Sequence, residues 1–285
     1  MQKTKPLIAA GLLALSFAVA APAIARPFAY SGDGDTTGGN LYRIDLATNA
    51  VTVVGPMPGV LLEGLSFGPG GTTLYGFDDS GSNIYSIDKN TGTPTLIGPL
   101  GTEEVDVGLA FCPDNGTMYL LGESGRLYRV NLSTGAGTLI GSGSNYGPTA
   151  LSCTTSGTLY AVSDATNSLY TVNRTTGAET LVGPLGVDIA DAGLGSDGSR
   201  LLMVADGAPT VLYQINTTTG AATQIAVLDA GDLSFESMAV DEEAAGGPIA
   251  TAEPQSIPTL SEWGFILLSG LLALGTIVTL RRRNH

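Results

Sequence analysis

The chain has 285 residues, with 12 Lys+Arg against 26 Asp+Glu, one His, two Cys, 40 Gly and 15 Pro. A 43% hydrophobic and 13% charged content can bury a sizeable core and does not describe a disordered chain. The net charge of −14 argues against nucleic-acid binding, and the single histidine, the terminal His285, rules out a Ser-His-Asp triad or a histidine zinc site in the body.

Residues 1–25 read as a secretory signal. Lys3 and Lys5 form a basic start, Leu7 to Ala20 supply the apolar stretch, and Ala21-Pro22-Ala23-Ile24-Ala25 ends in an A-x-A site. Cleavage is expected between Ala25 and Arg26; an uncleaved membrane anchor is the alternative. An exported body places its cysteines in an oxidising compartment.

Five ungapped 17-residue segments then recur. They are LYRIDLATNAVTVVGPM (41–57), IYSIDKNTGTPTLIGPL (84–100), LYRVNLSTGAGTLIGSG (127–143), LYTVNRTTGAETLVGPL (169–185) and LYQINTTTGAATQIAVL (212–228). Their starts lie 43, 43, 42 and 43 residues apart. Each predicts a hairpin, with Asp45, Asp88, Asn131, Asn173 or Asn216 opening a turn that ends at Asn49, Gly92, Gly135, Gly177 or Gly220. Between them a second pair recurs, as in Gly64-Leu65-Ser66-Phe67 followed by Thr73-Leu74-Tyr75-Gly76. Each unit therefore holds four short strands, a to d, the pattern of a β-propeller blade.

The phase at the ends predicts ring closure. The body opens on Phe28-Ala29-Tyr30, a strand b without an a, and finishes on Ser234 to Val240, a strand a without b, c or d. Pairing the two completes a fifth blade and removes two exposed edges. Residues 27–241 span 215 positions, five units of 43. The expected fold is thus all-β, a five-bladed propeller over 26–241 with split-blade closure. A seven-bladed ring and an open solenoid are the alternatives. The body resembles secreted propellers with LYxID-type blades, a likeness that marks blade structure and assigns no activity.

Cys112 and Cys153 each lie seven residues before the strand-b tyrosine of their blade, Tyr119 and Tyr160. Equivalent places on neighbouring inner strands make a disulfide the expectation, and two buried thiols the alternative.

The acids also follow the blades. Asp79, Glu123, Asp164 and Asp206 each fall four residues after strand-b position Tyr75, Tyr119, Tyr160 or Leu202, with Asp33 one position off. The d–a loops on the same face hold Glu63, Asp106, Asp191 and Glu236. Residues 26–256 carry 7 basic and 25 acidic side chains, net −18, so one face should bear a negative rim attracting cations or basic partners.

Three readings compete for that rim. Asp, Asn and Gly are what tight turns need, and like charge adds solubility. Asp33, Asp79, Glu123, Asp164 and Asp206 are candidate Ca²⁺ ligands, although Asp33-Gly34-Asp35 lacks the remaining spaced ligands of a calcium loop. Glu63, Asp106, Asp191 and Glu236 are candidate catalytic carboxylates for a glycan-active hydrolase working in the central funnel. The near-regular repeat weighs against an enzyme, and no resident cofactor is expected. The favoured reading is a binding or structural module with an unknown surface ligand, the hydrolase its alternative.

After Asp241 the chain changes character. Residues 242–256 (EEAAGGPIATAEPQS) read as a flexible linker. Ile257-Pro258-Thr259-Leu260-Ser261-Glu262-Trp263-Gly264 comes next, then an apolar run from Phe265 to Leu280, then Arg281-Arg282-Arg283. From Trp263 the apolar run is 18 residues, about 27 Å as a helix and enough to cross a bilayer. The arginines should stay cytoplasmic, leaving the body outside the inner membrane.

This tripartite tail, 257–285, resembles the IPTL-CTERM sorting domain, a relative of the PEP-CTERM tails of Gram-negative bacteria. The resemblance implies recognition by an exosortase-like membrane protease and cleavage near the motif. It also implies passage from inner-membrane anchoring in the periplasm to the cell surface or matrix. A permanent single-span anchor is the alternative.

Overall fold

The computed structural model describes residues 28–34, 38–143, 146–228 and 234–241. The signal with its Ala25–Arg26 site, the 242–256 linker, the 257–264 motif, the apolar run and Arg281 to Arg283 lie outside the described residues. Among the described residues no helix is long and apolar enough to cross a membrane.

Five four-stranded antiparallel sheets form. Blade 1 orders β20 (Ala239–Asp241), β1 (Phe28–Gly32), β2 (Asn40–Asp45) and β3 (Val51–Pro56). Blade 2 runs β4 (Leu62–Phe67), β5 (Leu74–Asp78), β6 (Asn83–Ile87) and β7 (Pro94–Pro99). Blade 3 runs β8 (Gly108–Cys112), β9 (Thr117–Leu121), β10 (Arg126–Val130) and β11 (Gly137–Ser142). Blade 4 runs β12 (Pro148–Cys153), β13 (Leu159–Ser163), β14 (Ser168–Val172) and β15 (Glu179–Pro184). Blade 5 runs β16 (Ala192–Ser196), β17 (Leu201–Ala205), β18 (Val211–Ile215) and β19 (Ala222–Val227).

The inner strands β20, β4, β8, β12 and β16 each neighbour the next, and β16 returns to β20. The ring is therefore the five-bladed propeller that the repeats predict. Its closure joins the two ends of the body: Phe28, Ala29 and Tyr30 pair with Asp241, Val240 and Ala239. Ser31 Oγ donates to the Ser237 carbonyl at 2.6 Å, and Gly32 N–H donates to Ser237 Oγ at 3.2 Å. Lys89 of blade 2 reaches across to buried Asp241 at 2.9 Å.

The hairpin turns follow from side-chain chemistry. Asp45, Asp88, Asn131, Asn173 and Asn216 each accept the backbone N–H two residues on through Oδ1, at 2.8–2.9 Å. The last residue of each turn sits at φ between 60° and 82°, as Asn49 and then four glycines. An Asn or Asp at the start and Gly at the left-handed position is the local solution the repeat encodes.

The apolar core is not central. It divides into five layers, each between neighbouring blades. Tyr30, Leu41, Leu62 and Leu74 fill the layer between blades 1 and 2, and Phe77, Leu100, Leu120 and Tyr128 that between blades 2 and 3. The seam between blades 5 and 1 has the same construction, with Leu202, Val204, Tyr42 and Phe235. A disulfide joins Cys112 on β8 to Cys153 on β12, with Cα atoms 5.2 Å apart.

Glycine lets the blades close at the periphery. A Cβ on Gly55, Gly98, Gly141 or Gly183 in strand d would stand 2.0–2.3 Å from the carbonyl oxygen of Thr91, Thr134, Thr176 or Thr219 in the next blade's turn. At the seam the pattern relaxes. Ala226 takes the register place of Gly183, and Asn49 that of Gly92. Because the obstacle is backbone, no rotamer change relieves it. Gly141→Ala should therefore cost about 1–3 kcal/mol in urea unfolding, whereas Ala226→Gly should cost under about 1 kcal/mol. Equal losses at both positions would refute the close contact. Replacing both cysteines with serine opens a loop of 41 residues and should cost about 3–4 kcal/mol in the same assay.

Candidate functional site

The channel is built in layers set by the alternation of the inner strands. Gly64, Gly108, Ala150, Gly193 and Ser237 form a ring of small residues. A Cβ on Gly108 or Gly193 would lie 2.2–2.3 Å from the backbone of the adjacent inner strand, so small residues bring these strands together. One position further, Leu65, Leu109, Leu151, Leu194 and Met238, one from each inner strand and each at most 3% exposed, form a plug that closes the channel. This plug borders both spaces in the channel. On one side is an apolar cavity of about 290 Å³, flanked by Phe67 and Phe111. On the other is a space of only about 10 Å³ that Glu63 and Glu236 border, room for no more than about one water.

Above that space the carboxylates converge. Glu63, Asp106 and Asp191 each bring a carboxylate oxygen within 4.8 Å of the other two. They come from the strand-a entrances of blades 2, 3 and 5. Glu236 of blade 1 shares a hydrogen bond with Glu63. Glu63 and Glu236 are 6% and 8% exposed, so both are nearly lost to solvent. Two acids from the b–c turns join the group: Asp79 acts on Glu63, and Asp164 acts on Asp106 and Asp191.

The remaining sequence candidates stand elsewhere. Glu123 is exposed, and its N–H donates to the Val105 carbonyl. Asp206 accepts the Gly207 N–H at 2.7 Å, and its own N–H donates to the Asp191 carbonyl. Asp33 bridges to Phe235. Cys112 and Cys153 lie on the wall below the plug, where Cys153 borders the apolar cavity.

Burial and the proximity of other carboxylates shift these acids. Burial first, then the charge of Glu236, a hydrogen bond to it and the charges of Asp191 and Asp79 hold Glu63 well above the carboxylate range. Burial first, then Glu236, pushes Asp191 up to about 8. Asp106 is raised by burial and Asp164, and Asp79 by burial and Asp106.

One residue escaped the sequence reading. Strand a bulges in blade 2 between Leu62 and Gly64 and in blade 4 between Pro148 and Ala150, so the extra residue is Glu63 in one and Thr149 in the other. Thr149 thus occupies the place of Glu63. The signal was its position directly before the small residue Ala150, which only an alignment of the strand-a entrances brings out. The apolar cavity was missed as well, because its lining combines strand ends from every blade.

Comparison with known proteins bears on the ends and the repeats. Residues 255–283 match the IPTL-CTERM motif, and residues 30–150 match a profile described as a repeat of unknown function, DUF6923. The chain thus carries an IPTL-CTERM sorting motif behind a DUF6923 repeat region. No curated protein sequence matches it. Among solved structures, a structural genomics protein of unknown function from Bacteroides thetaiotaomicron VPI-5482 is similar, with TM-score 0.50 and 20% identity over 76% of this chain. The match covers 61% of that protein. A chain of the nidogen/laminin complex matches with TM-score 0.53 and 14% identity, covering 75% of this chain and 98% of that one. At these identities the likeness concerns the fold alone.

The raised acids make stability depend on pH. A carboxyl with a folded pKa above its unfolded value stabilises fully below the unfolded value, and that stability is lost as pH rises through the folded one. The melting temperature in EDTA should therefore fall from pH 5 to pH 9, a window spanning about 8 for Asp191. Asp191→Asn and Glu63→Gln should each flatten that slope in thermal melts. An identical slope in both variants would contradict the assignment.

Proposed function

We propose that this chain, with its sorting motif behind a five-bladed repeat ring, is an exported surface-binding module whose acidic mouth meets the ligand. In this reading residues 1–25 direct export and are removed between Ala25 and Arg26. The apolar run with Arg281 to Arg283 holds the protein in the inner membrane of a Gram-negative cell. An exosortase-like protease then cuts near Ile257 to Gly264 and releases the body to the surface or matrix.

The observation that supports this reading is where the ring's last strand ends. The chain runs from Glu236 at the acidic mouth, past Met238 in the plug, to Val240 beside the apolar cavity and Asp241 beyond it. Asp241 pairs with Phe28, so both ends of the body leave from the face opposite the carboxylates. A tail anchored at that end turns the acidic mouth away from the membrane. A strongly negative mouth on a rigid ring recruits cations and basic groups.

The hydrolase alternative asks for two carboxylates flanking an open funnel that admits a sugar ring. The plug of Leu65, Leu109, Leu151, Leu194 and Met238 leaves too little space there, which favours binding over catalysis.

The test is expression of the full-length chain with and without an exosortase-like protease, followed by mass analysis of surface-exposed protein. The expected product begins at Arg26, lacks the apolar tail, and is reached by antibody on intact cells only when the protease is present. Recovery of tail-bearing protein confined to the inner membrane in both strains would overturn the reading.

A further inference from the structure

Two inner strands enter the acidic mouth through the same bulge. In blades 2 and 4 the bulge residue of the inner strand is Glu63 and Thr149. In blade 1 the register slips by one between the Tyr30–Ala239 pair and the Asp33–Phe235 bridge, and Glu236 lies in that interval. Side chains on equivalent bulges project alike, and those of Glu63 and Glu236 border the space on the axis. Thr149 holds the equivalent bulge in blade 4, at the same strand-a entrance of the ring. The residue is 5% exposed, and its Oγ1 has no hydrogen-bond partner in the protein. A buried hydroxyl without a partner is costly unless a ligand takes its oxygen.

We propose that this mouth is a Ca²⁺ site, with carboxylate oxygens from Glu63, Asp106 and Asp191 as its centre and Glu236 and the Thr149 hydroxyl beside them. The donors are all oxygen, which suits a hard cation. Oxygens bound to one Ca²⁺ at 2.3–2.6 Å lie within about 5 Å of one another, and the three carboxylates meet that condition at 4.8 Å. Mg²⁺ demands a tighter and near-octahedral shell, whereas these donors come from blades at irregular angles around a five-fold ring. The charges acting on Glu63 and Asp191 are those of other carboxylates, and a divalent cation would offset them. The ligand set differs from the b–c turn acids Asp33, Glu123 and Asp206, which lie outside this group.

The inference rests on reading the acidic mouth as the binding face, but its test needs neither partner nor processing. The full-length chain, purified in detergent and stripped with EDTA, is titrated with CaCl₂ by calorimetry and followed by thermal melting. One saturable site is expected, with a Kd of about 10⁻⁴–10⁻³ M or tighter, as in extracellular calcium modules. The melting temperature should rise with Ca²⁺ and respond much less to Mg²⁺. The double variant Glu63→Gln, Asp191→Asn should bind at least about tenfold more weakly, and Thr149→Val several-fold more weakly. Both remove repulsion or an unpartnered hydroxyl, so neither should melt below the wild type in EDTA, and lost binding is then not lost folding. Glu123→Gln should bind as the wild type does. No saturable heat with an unchanged melt in millimolar Ca²⁺ would overturn the site, as would equal binding of Mg²⁺ or full binding by the double variant. Failure of the titration leaves delivery to the surface standing, and failure of delivery leaves the titration standing.

Discussion

Each blade buries its apolar faces against its two neighbours, and this constraint shapes everything else in the molecule. A single four-stranded sheet with both faces apolar cannot hide them from water, and the core accordingly lies in layers between blades such as that of Leu41, Leu62 and Leu74. A ring is the arrangement in which every face finds a partner. It also leaves no inner edge open, since β20 and β1 join the two ends of the body across the last gap. The glycine contacts between Gly55, Gly98, Gly141 or Gly183 and the next blade's turn set how tightly successive blades can approach. The closing seam uses Ala226 and Asn49 at those places, so it is the junction where the repeat yields.

Closure also decides what the channel can be. Five inner strands converge, and their small-residue layer draws them close enough for one leucine or methionine from each to separate the channel's two spaces. The plug divides the channel into an apolar cavity at the face where the body's ends leave and a carboxylate group at the other. That division follows from alternation along a strand: the residues before the small layer face the mouth, and those after the plug face the cavity. Negative charge thus concentrates in a buried place, and burial first, then neighbouring carboxylates, raises these acids.

Much of this was legible in the chain. The 43-residue period, the Asp or Asn opening each turn and the unmatched strands at the two ends all specify blade count and closure, because each is a local pattern repeated in register. The lines of acids were legible as a rim for the same reason. Their grouping was not. Asp79 and Asp164 join Glu63, Asp106 and Asp191, while Glu123 and Asp206 at equivalent positions do not. Small differences in loop length and bulging separate them, and a repeat alignment averages such differences away. Thr149 shows the limit most directly, since a threonine directly before Ala150 carries no sign in the sequence of its buried, unpartnered hydroxyl.

The sequence by itself determined the secondary structure, the number of blades, the split closure and the sorting motif, because hydrogen-bonding turns, alternation and a linear tail signal act between residues close in the chain. Tertiary structure alone decided which carboxylates meet, how narrow the space beneath them is, and that the body's ends leave from the opposite face. Those properties depend on distances between residues from different blades, and only the closed ring fixes such distances. Net charge was thus readable from composition, but its convergence on one mouth was not.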